Sequence, residues 1–314
     1  MKYPLSLLIL LFLGCETIVE VDPPEYDSEP VVTSFFSPDS IWSVTMHRSL
    51  GITDKRDVTR EYISDASVMI MNGSNMVDIL NYVGYGRYIS SAGGFPRDGI
   101  SYTLRIDFPS RANIQATSVA PSPVIISDYS IEPLPPSPEP NPFSRTKYQL
   151  KIVFSDNLGM NFYRIGVYRR ERNQNAFDET DPDSVYRTID FEGLSSGWSC
   201  GYSAVENIDP IDGGVTGLLC EEFVVTDRLF DGKDYSWNGI TSGLSDEIGR
   251  NELRLIISSL SEDYYKYLQS LERNVFHDPL LEEPAPVYSN VNGGLGVFAG
   301  YTNTTLVLPF PKEN

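Results

Sequence analysis

The sequence predicts a mainly β protein made of two β-sandwich domains of immunoglobulin-like or fibronectin-like type, the second carrying one amphipathic helix. Three observations predict it. Short β-branched and aromatic runs with period-two alternation recur through the chain. A proline-rich stretch divides them near the middle. A single helical periodicity stands out toward the C-terminus.

The chain opens with "MKYPLSLLILLFLGC". Lys2 is a short basic region and Leu5 to Leu13 an unbroken apolar run. Nine helical residues rise about 14 Å, too little for a bilayer core of about 30 Å. The run therefore predicts a signal peptide over residues 1–14 rather than a membrane span. Gly14 immediately before Cys15 has the form of a bacterial lipobox, so Cys15 is the expected lipidation site. Two or more acyl chains, at roughly 0.8 kcal/mol per buried CH₂, anchor a protein stably. Residues 15–30 follow as an acidic, proline-bearing tether, "ETIVEVDPPEYDSEP" after the cysteine, extended by Pro23, Pro24 and Pro30.

Residues 31–122 read as the first sandwich. "VVTSFF", "WSVTMHR", "ASVMIMN", "MVDILN" and "YTLRIDF" are its strand-like runs. In the last, Tyr102, Leu104, Ile106 and Phe108 share one face. Asn72-Gly73 predicts a tight hairpin and Asp98-Gly99 another turn. Residues 123–146 read as a linker, because six of the fourteen residues from Ile131 to Ser144 are proline. Residues 147–314 form the second β-rich domain, with strand-like runs such as "YQLKIVF", "YRIGVYRR", "SVYRTIDF" and "ELRLIIS". A helix is expected over 261–275. Ser259 or Ser261 would cap it, and Tyr264, Leu268, Leu271 and Val275 would form its apolar face against the second sheet.

The formal net charge of −19 argues against a nucleic-acid partner. Cys200 and Cys220 are an even pair in an exported chain and predict a disulfide; closing such a loop contributes roughly 3 kcal/mol. "NVNGGLGVFAGYT", Asn290 to Thr302, holds Gly293, Gly294, Gly296 and Gly300 but matches neither phosphate-loop pattern, and a β-branched run follows it. A backbone requirement, with Val297 and Phe298 in the core, is the expected role. "GLSSG" around Ser195 lacks the strand–turn–helix setting of a nucleophile elbow. Asp178, Glu179, Asp181 and Asp183 lack the spacing of a calcium loop. No catalytic motif is found, so no enzyme, cofactor or metal is expected. Tyr85, Tyr88, Trp198, Tyr202 and Trp237 stand beside glycines or serines and are the candidate binding aromatics.

Taken together, "FLGCE", "PVVTSFFSPD", "SLSEDYYKYLQSLERN" and "DPLLEEPAPVYSNVNGGLGVFAGYT" resemble the Bacteroidota lipoprotein family known as domain of unknown function 4249. Ser259 to Thr302 carries the specific part of the resemblance, which extends over the whole mature chain. It implies an outer-membrane lipoprotein in settings with TonB-dependent transporters. The acidic stretch after Cys15 also resembles signals for display on the cell surface; "ETIVE" is less densely acidic than the typical form, so surface display is the expectation and a periplasmic-facing orientation the alternative. It implies no activity and no catalytic residues. The expected function is a lipid-anchored binding or accessory module of a TonB-dependent nutrient-uptake system. A surface hydrolase of glycan or peptide, and a structural or adhesive envelope lipoprotein, are the alternatives.

Overall fold

The computed structural model describes residues 26–51, 61–135, 146–171, 185–188, 223–242, 252–275, 283 and 285–308. Within them the chain is mainly β, with one α-helix. The N-terminal half consists of β1 (Pro30–Phe36), β2 (Ser43–Arg48), β3 (Ser67–Asn72), β4 (Asn75–Gly84), β5 (Arg87–Ser90), β6 (Ser101–Asp107) and β7 (Ile114–Val119). They pair in the order β1-β2-β5-β4-β3-β6-β7, antiparallel throughout. Alternation sets which face is buried. Val32 and Phe36 of β1, Val68 and Ile70 of β3, and Tyr102, Leu104 and Ile106 of β6 all enter one core. Phe108, expected on the same face, lies past the end of β6 and is only partly buried. The β3–β4 hairpin forms where Asn72-Gly73 predicts it. Its two-residue loop is Gly73-Ser74, with φ 58° at Gly73, and Asn72 closes the ladder opposite Asn75. Gly99 takes φ 71° in the expected Asp98-Gly99 turn.

The remaining elements are β8 (Ile125–Pro133), β9 (Lys147–Ser155), β10 (Phe162–Glu171), β11 (Val185–Thr188), β12 (Phe223–Thr226), β13 (Asp234–Ser242), β14 (Glu252–Leu260), α1 (Glu262–Val275) and β15 (Leu295–Leu308). A three-stranded sheet, β13-β9-β8, faces β10, β14 and the end of β15. Between them lies a second core containing Ile152, Phe154, Trp237, Ile165 and Leu255.

Two expectations about domain layout are corrected. The linker expected over 123–146 contains strand β8, which pairs with β9 from Ile125 to Pro133. Residues 125–132 carry no proline, and Pro133 is tolerated because it ends an edge strand. The division at 147 is also crossed. Leu295–Gly300 of β15 pairs in parallel with β1, and Tyr301–Leu308 pairs antiparallel with β14. One strand therefore serves both cores: Phe298 lies in the first and Leu308 in the second.

Helix α1 covers that junction on the other face of the sheet. Ser261 caps it, its Oγ accepting from the Tyr264 amide at 3.2 Å, whereas Ser259 is inside β14. Tyr264 and Leu268 are buried against Val297 and Ala299 of β15. Phe35 of β1 stacks on Tyr264 and Phe162 of β10 on Tyr265, with centroids 4.5 and 4.3 Å apart. The apolar face thus packs across both halves, not on the second sheet alone. It can do so because both faces of β15 are covered, and Val297 and Phe298 point to opposite sides.

Candidate functional site

The glycine segment sits where three strands close on one another. A methyl group at Gly294 would stand 2.7 Å from the Pro30 carbonyl oxygen, and one at Gly293 2.9 Å from that of Asn113. At Gly296, φ 109°, it would overlap the Val32 carbonyl, and at Gly300 the Val119 carbonyl. The backbone requirement expected from the sequence is met in this way, and Val297 and Phe298 are fully buried as expected. Asn290 supports the same seam. Its side-chain amide donates to Phe298 O at 2.8 Å and its Oδ1 accepts from Phe298 N at 2.9 Å, so it imitates a strand partner. Asn292 and Gln115 exchange two backbone hydrogen bonds and tie the segment to β7.

The stretch leading into it runs along α1. Asn274 donates to Ala285 O, and the Tyr288 amide donates to Ser270 Oγ, both at 2.7 Å. Asp263 accepts from Tyr288 OH at 2.9 Å and from Ser118 OH of β7 at 2.7 Å. Burial and the Asp263 carboxylate push the Tyr288 phenol up to about 12. The "EDYYKYL", Tyr288 and Asn290 positions are therefore one structural unit binding helix, strap and β7 together.

Of the five candidate aromatics, Trp198 and Tyr202 lie outside the described residues, as do Cys15, Cys200, Cys220, Ser195 and the acidic run from Asp178 to Asp183. Two of the other three are corrected. Tyr88 is in the first core, donating to Ile63 O and accepting from Ala66 N. Trp237 is in the second core opposite Ile152. In both, strand alternation turns the ring inward, which adjacency to glycine did not reveal. Tyr85 is the one that stays in solvent, 57% exposed at the tip of the β4–β5 hairpin.

That hairpin also carries an exposed apolar face. Asp78 and Leu80 of β4 point inward, so Val77 and Ile79 point outward, and Ile79 pairs beside Met69 of β3. Val77 and Ile79 keep 44% and 43% of their surface in solvent. The sequence showed the alternation of "MVDILN" but not its sense. Buried Asp78, whose Oδ2 accepts from Ser90 OH at 2.5 Å, inverts the usual apolar-in rule.

A second polar cluster escaped the sequence reading. Asp156, Asp227 and Asp231 bring carboxylate oxygens within 4.8 Å of one another. Tyr163 OH and the Gly232 amide donate to Asp156, the Asn161 amide to Asp227, and the Gly159 amide to Asp231. Burial raises the Asp156 carboxyl above its ordinary range and, with Asp156 beside it, raises the Tyr163 phenol. Oxygen ligands so placed suit a hard cation. The donors already around them make the cluster a clasp between the β9–β10 turn and the turn after β12. "SDNLG" and "DRLFDG" both read as turns, but Asp156 and Asp227 are 227 − 156 = 71 positions apart and no spacing rule joins them.

Comparison with known proteins adds three findings. No curated protein matches the chain. Among solved structures, a mutant of Salmonella alpha-2-macroglobulin is similar at 8% identity and a TM-score of 0.24. That match covers 91% of this chain and 15% of the other's length. The profile of the family described as Domain of unknown function (DUF4249) matches residues 16–306, and the chain belongs to that family.

Proposed function

We propose that this chain is a lipid-anchored outer-membrane protein that binds a partner, working as an accessory to a TonB-dependent nutrient-uptake system. Cys15, following its apolar leader, would carry the lipid. The residues between Cys15 and Tyr26 would carry the folded part above the membrane, and Cys200 and Cys220 would form a disulfide. The observation that carries a binding role is the outward apolar face around Val77, Ile79 and Met69. Burying it against a partner contributes roughly 25 cal/mol per Å² of apolar area.

The test is affinity purification of C-terminally tagged protein from detergent-solubilised outer membranes, alongside the variant Ile79→Lys. A transporter recovered in stoichiometric amount with the parent, and lost from Ile79→Lys while that variant stays membrane-bound, is the expected result. Recovery of the lipoprotein alone, with its anchor intact, overturns the accessory role.

A further inference from the structure

We infer that the rim where the chain enters the N-terminal half is a lipid-contacting face, with Tyr85 at its tip. The inference rests on the lipid-anchor reading proposed above and adds the orientation of the folded part. Its first support is where the tether ends. The chain arrives pinned to the end of β2: Tyr26 OH donates to Ser49 Oγ at 2.7 Å, the Glu29 amide donates to the same oxygen at 2.9 Å, and Ser28 OH donates to Ser49 O at 2.8 Å. From Cys15 to Tyr26 is 26 − 15 = 11 residues. Fully extended they reach at most about 40 Å, which bounds how far this rim can stand from the lipid.

The second support is what shares that rim. Strand register sets the neighbours: Leu295 beside Val31, Val31 beside His47, His47 bridged to Tyr62. The Tyr62 ring then meets the Tyr85 ring edge-on at 5.9 Å. Around this row Tyr26, Leu50, Val83, Tyr85 and Leu295 each have more than a third of their surface in solvent. They come from four stretches of the chain, around Tyr26, Leu50, Val83–Tyr85 and Leu295, so their sharing one rim is a product of the fold. Arg48 is exposed on the same rim and can meet a lipid phosphate, whereas Arg87 reaches back along the sheet and donates to Ser43 Oγ at 3.3 Å. Glu29 and Asp65 stand nearby, so apolar and aromatic burial, rather than net charge, would drive the contact.

The third support is the backbone at Tyr85. Tyr85 and Gly86 form the two-residue hairpin loop, with φ 50° and 72°. Positive φ at both centres is the pattern that Asn-Gly fills with least strain. A bulky aromatic there is a backbone outlier. Its ring is directed into solvent at a tip, where a tyrosine's apolar body and polar hydroxyl suit a membrane interface.

The experiment uses the full lipidated protein in phosphatidylethanolamine–phosphatidylglycerol proteoliposomes containing acyl-brominated lipid as a fluorescence quencher. Tyr85→Trp and Val83→Trp place reporters on the rim; Met76→Trp places one at the far end of β4, where Met76 is also exposed. Vesicle flotation scores anchoring separately. The expected result is flotation of all three, with added emission at positions 83 and 85 quenched at least about twofold more than at 76, as for an interfacial aromatic. Flotation with equal quenching at all three positions overturns the lipid contact and leaves the anchor standing. Failure to float overturns the anchor and the contact together. Quenching by added transporter but not by brominated lipid would assign the rim to a protein instead, and overturns the inference.

Discussion

Gly296 is a position where no side chain fits. Its φ of 109° and its approach to the Val32 carbonyl both exclude a Cβ. Gly296→Ala adds backbone strain to overpacking, so a loss of roughly 3 kcal/mol or more is expected. The readout is the urea midpoint, with Leu295→Ala on the exposed rim as a near-neutral control. Tyr85 should respond in the opposite direction. Tyr85→Asn puts the preferred residue at the first centre of the turn and should raise stability by up to about 1 kcal/mol. A fall in the midpoint would mean that the Tyr62 contact outweighs the backbone cost. His47 sets a pH dependence. Burial lowers its pKa below 6.5, with Glu61 opposing. The unfolded chain therefore binds the proton more readily. The stability contributed by neutral His47 is present above pH 6.5 and is lost as pH falls through the window below it. His47→Gln should flatten that part of the stability–pH curve.

At the level of elements, α1 and the strap after it form one unit through Asp263, Ser270 and Asn274. Asn290→Ala removes two hydrogen bonds from Phe298 and leaves its buried amide and carbonyl unanswered. A loss of about 2–3 kcal/mol is expected, against less than about 1 kcal/mol for an ordinary exposed asparagine. Comparing Asn290→Ala with Asn81→Ala by thermal denaturation checks this. The same elements show what the sequence could convey. Period two marked β1, β3 and β6, and the i, i+4 spacing marked α1, because each pattern depends on one face meeting one core. β8 was hidden by the prolines that follow it. β15 was hidden by its glycines, which read as a loop although they are what lets the strand fit between β1 and β7. Tyr88 and Trp237 were misjudged as exposed because a residue beside glycine still obeys strand alternation. The Asp156, Asp227 and Asp231 clasp depends on two turns meeting in space, and nothing local in either turn announces the other.

Across the whole molecule, β15 makes two sandwich-like halves into one folding unit. Its first six residues pair with β1 and the next eight with β14, while α1 is locked over the junction by the Ser261 amide donating to Gly300 O at 2.9 Å. Each core holds its own tryptophan, Trp42 in the first and Trp237 in the second. Phe298→Ala empties space in the first core alone and should cost about 3–5 kcal/mol. In a Trp42→Phe, Trp198→Phe background emission comes from Trp237 in the second core, and in a Trp198→Phe, Trp237→Phe background from Trp42 in the first, so unfolding of the second core can be followed while the damage lies in the other. Were the halves independent, Phe298→Ala would leave that transition where it was. If β15 couples them, the midpoint reported from the second half should fall with the one reported from Trp42, because the second core cannot keep Leu306 and Leu308 packed once the first part of their strand detaches. Coincident transitions in the two backgrounds are the expected result; a Trp237 transition indifferent to Phe298→Ala would show that the shared strand can be cut in two without cost to the second core.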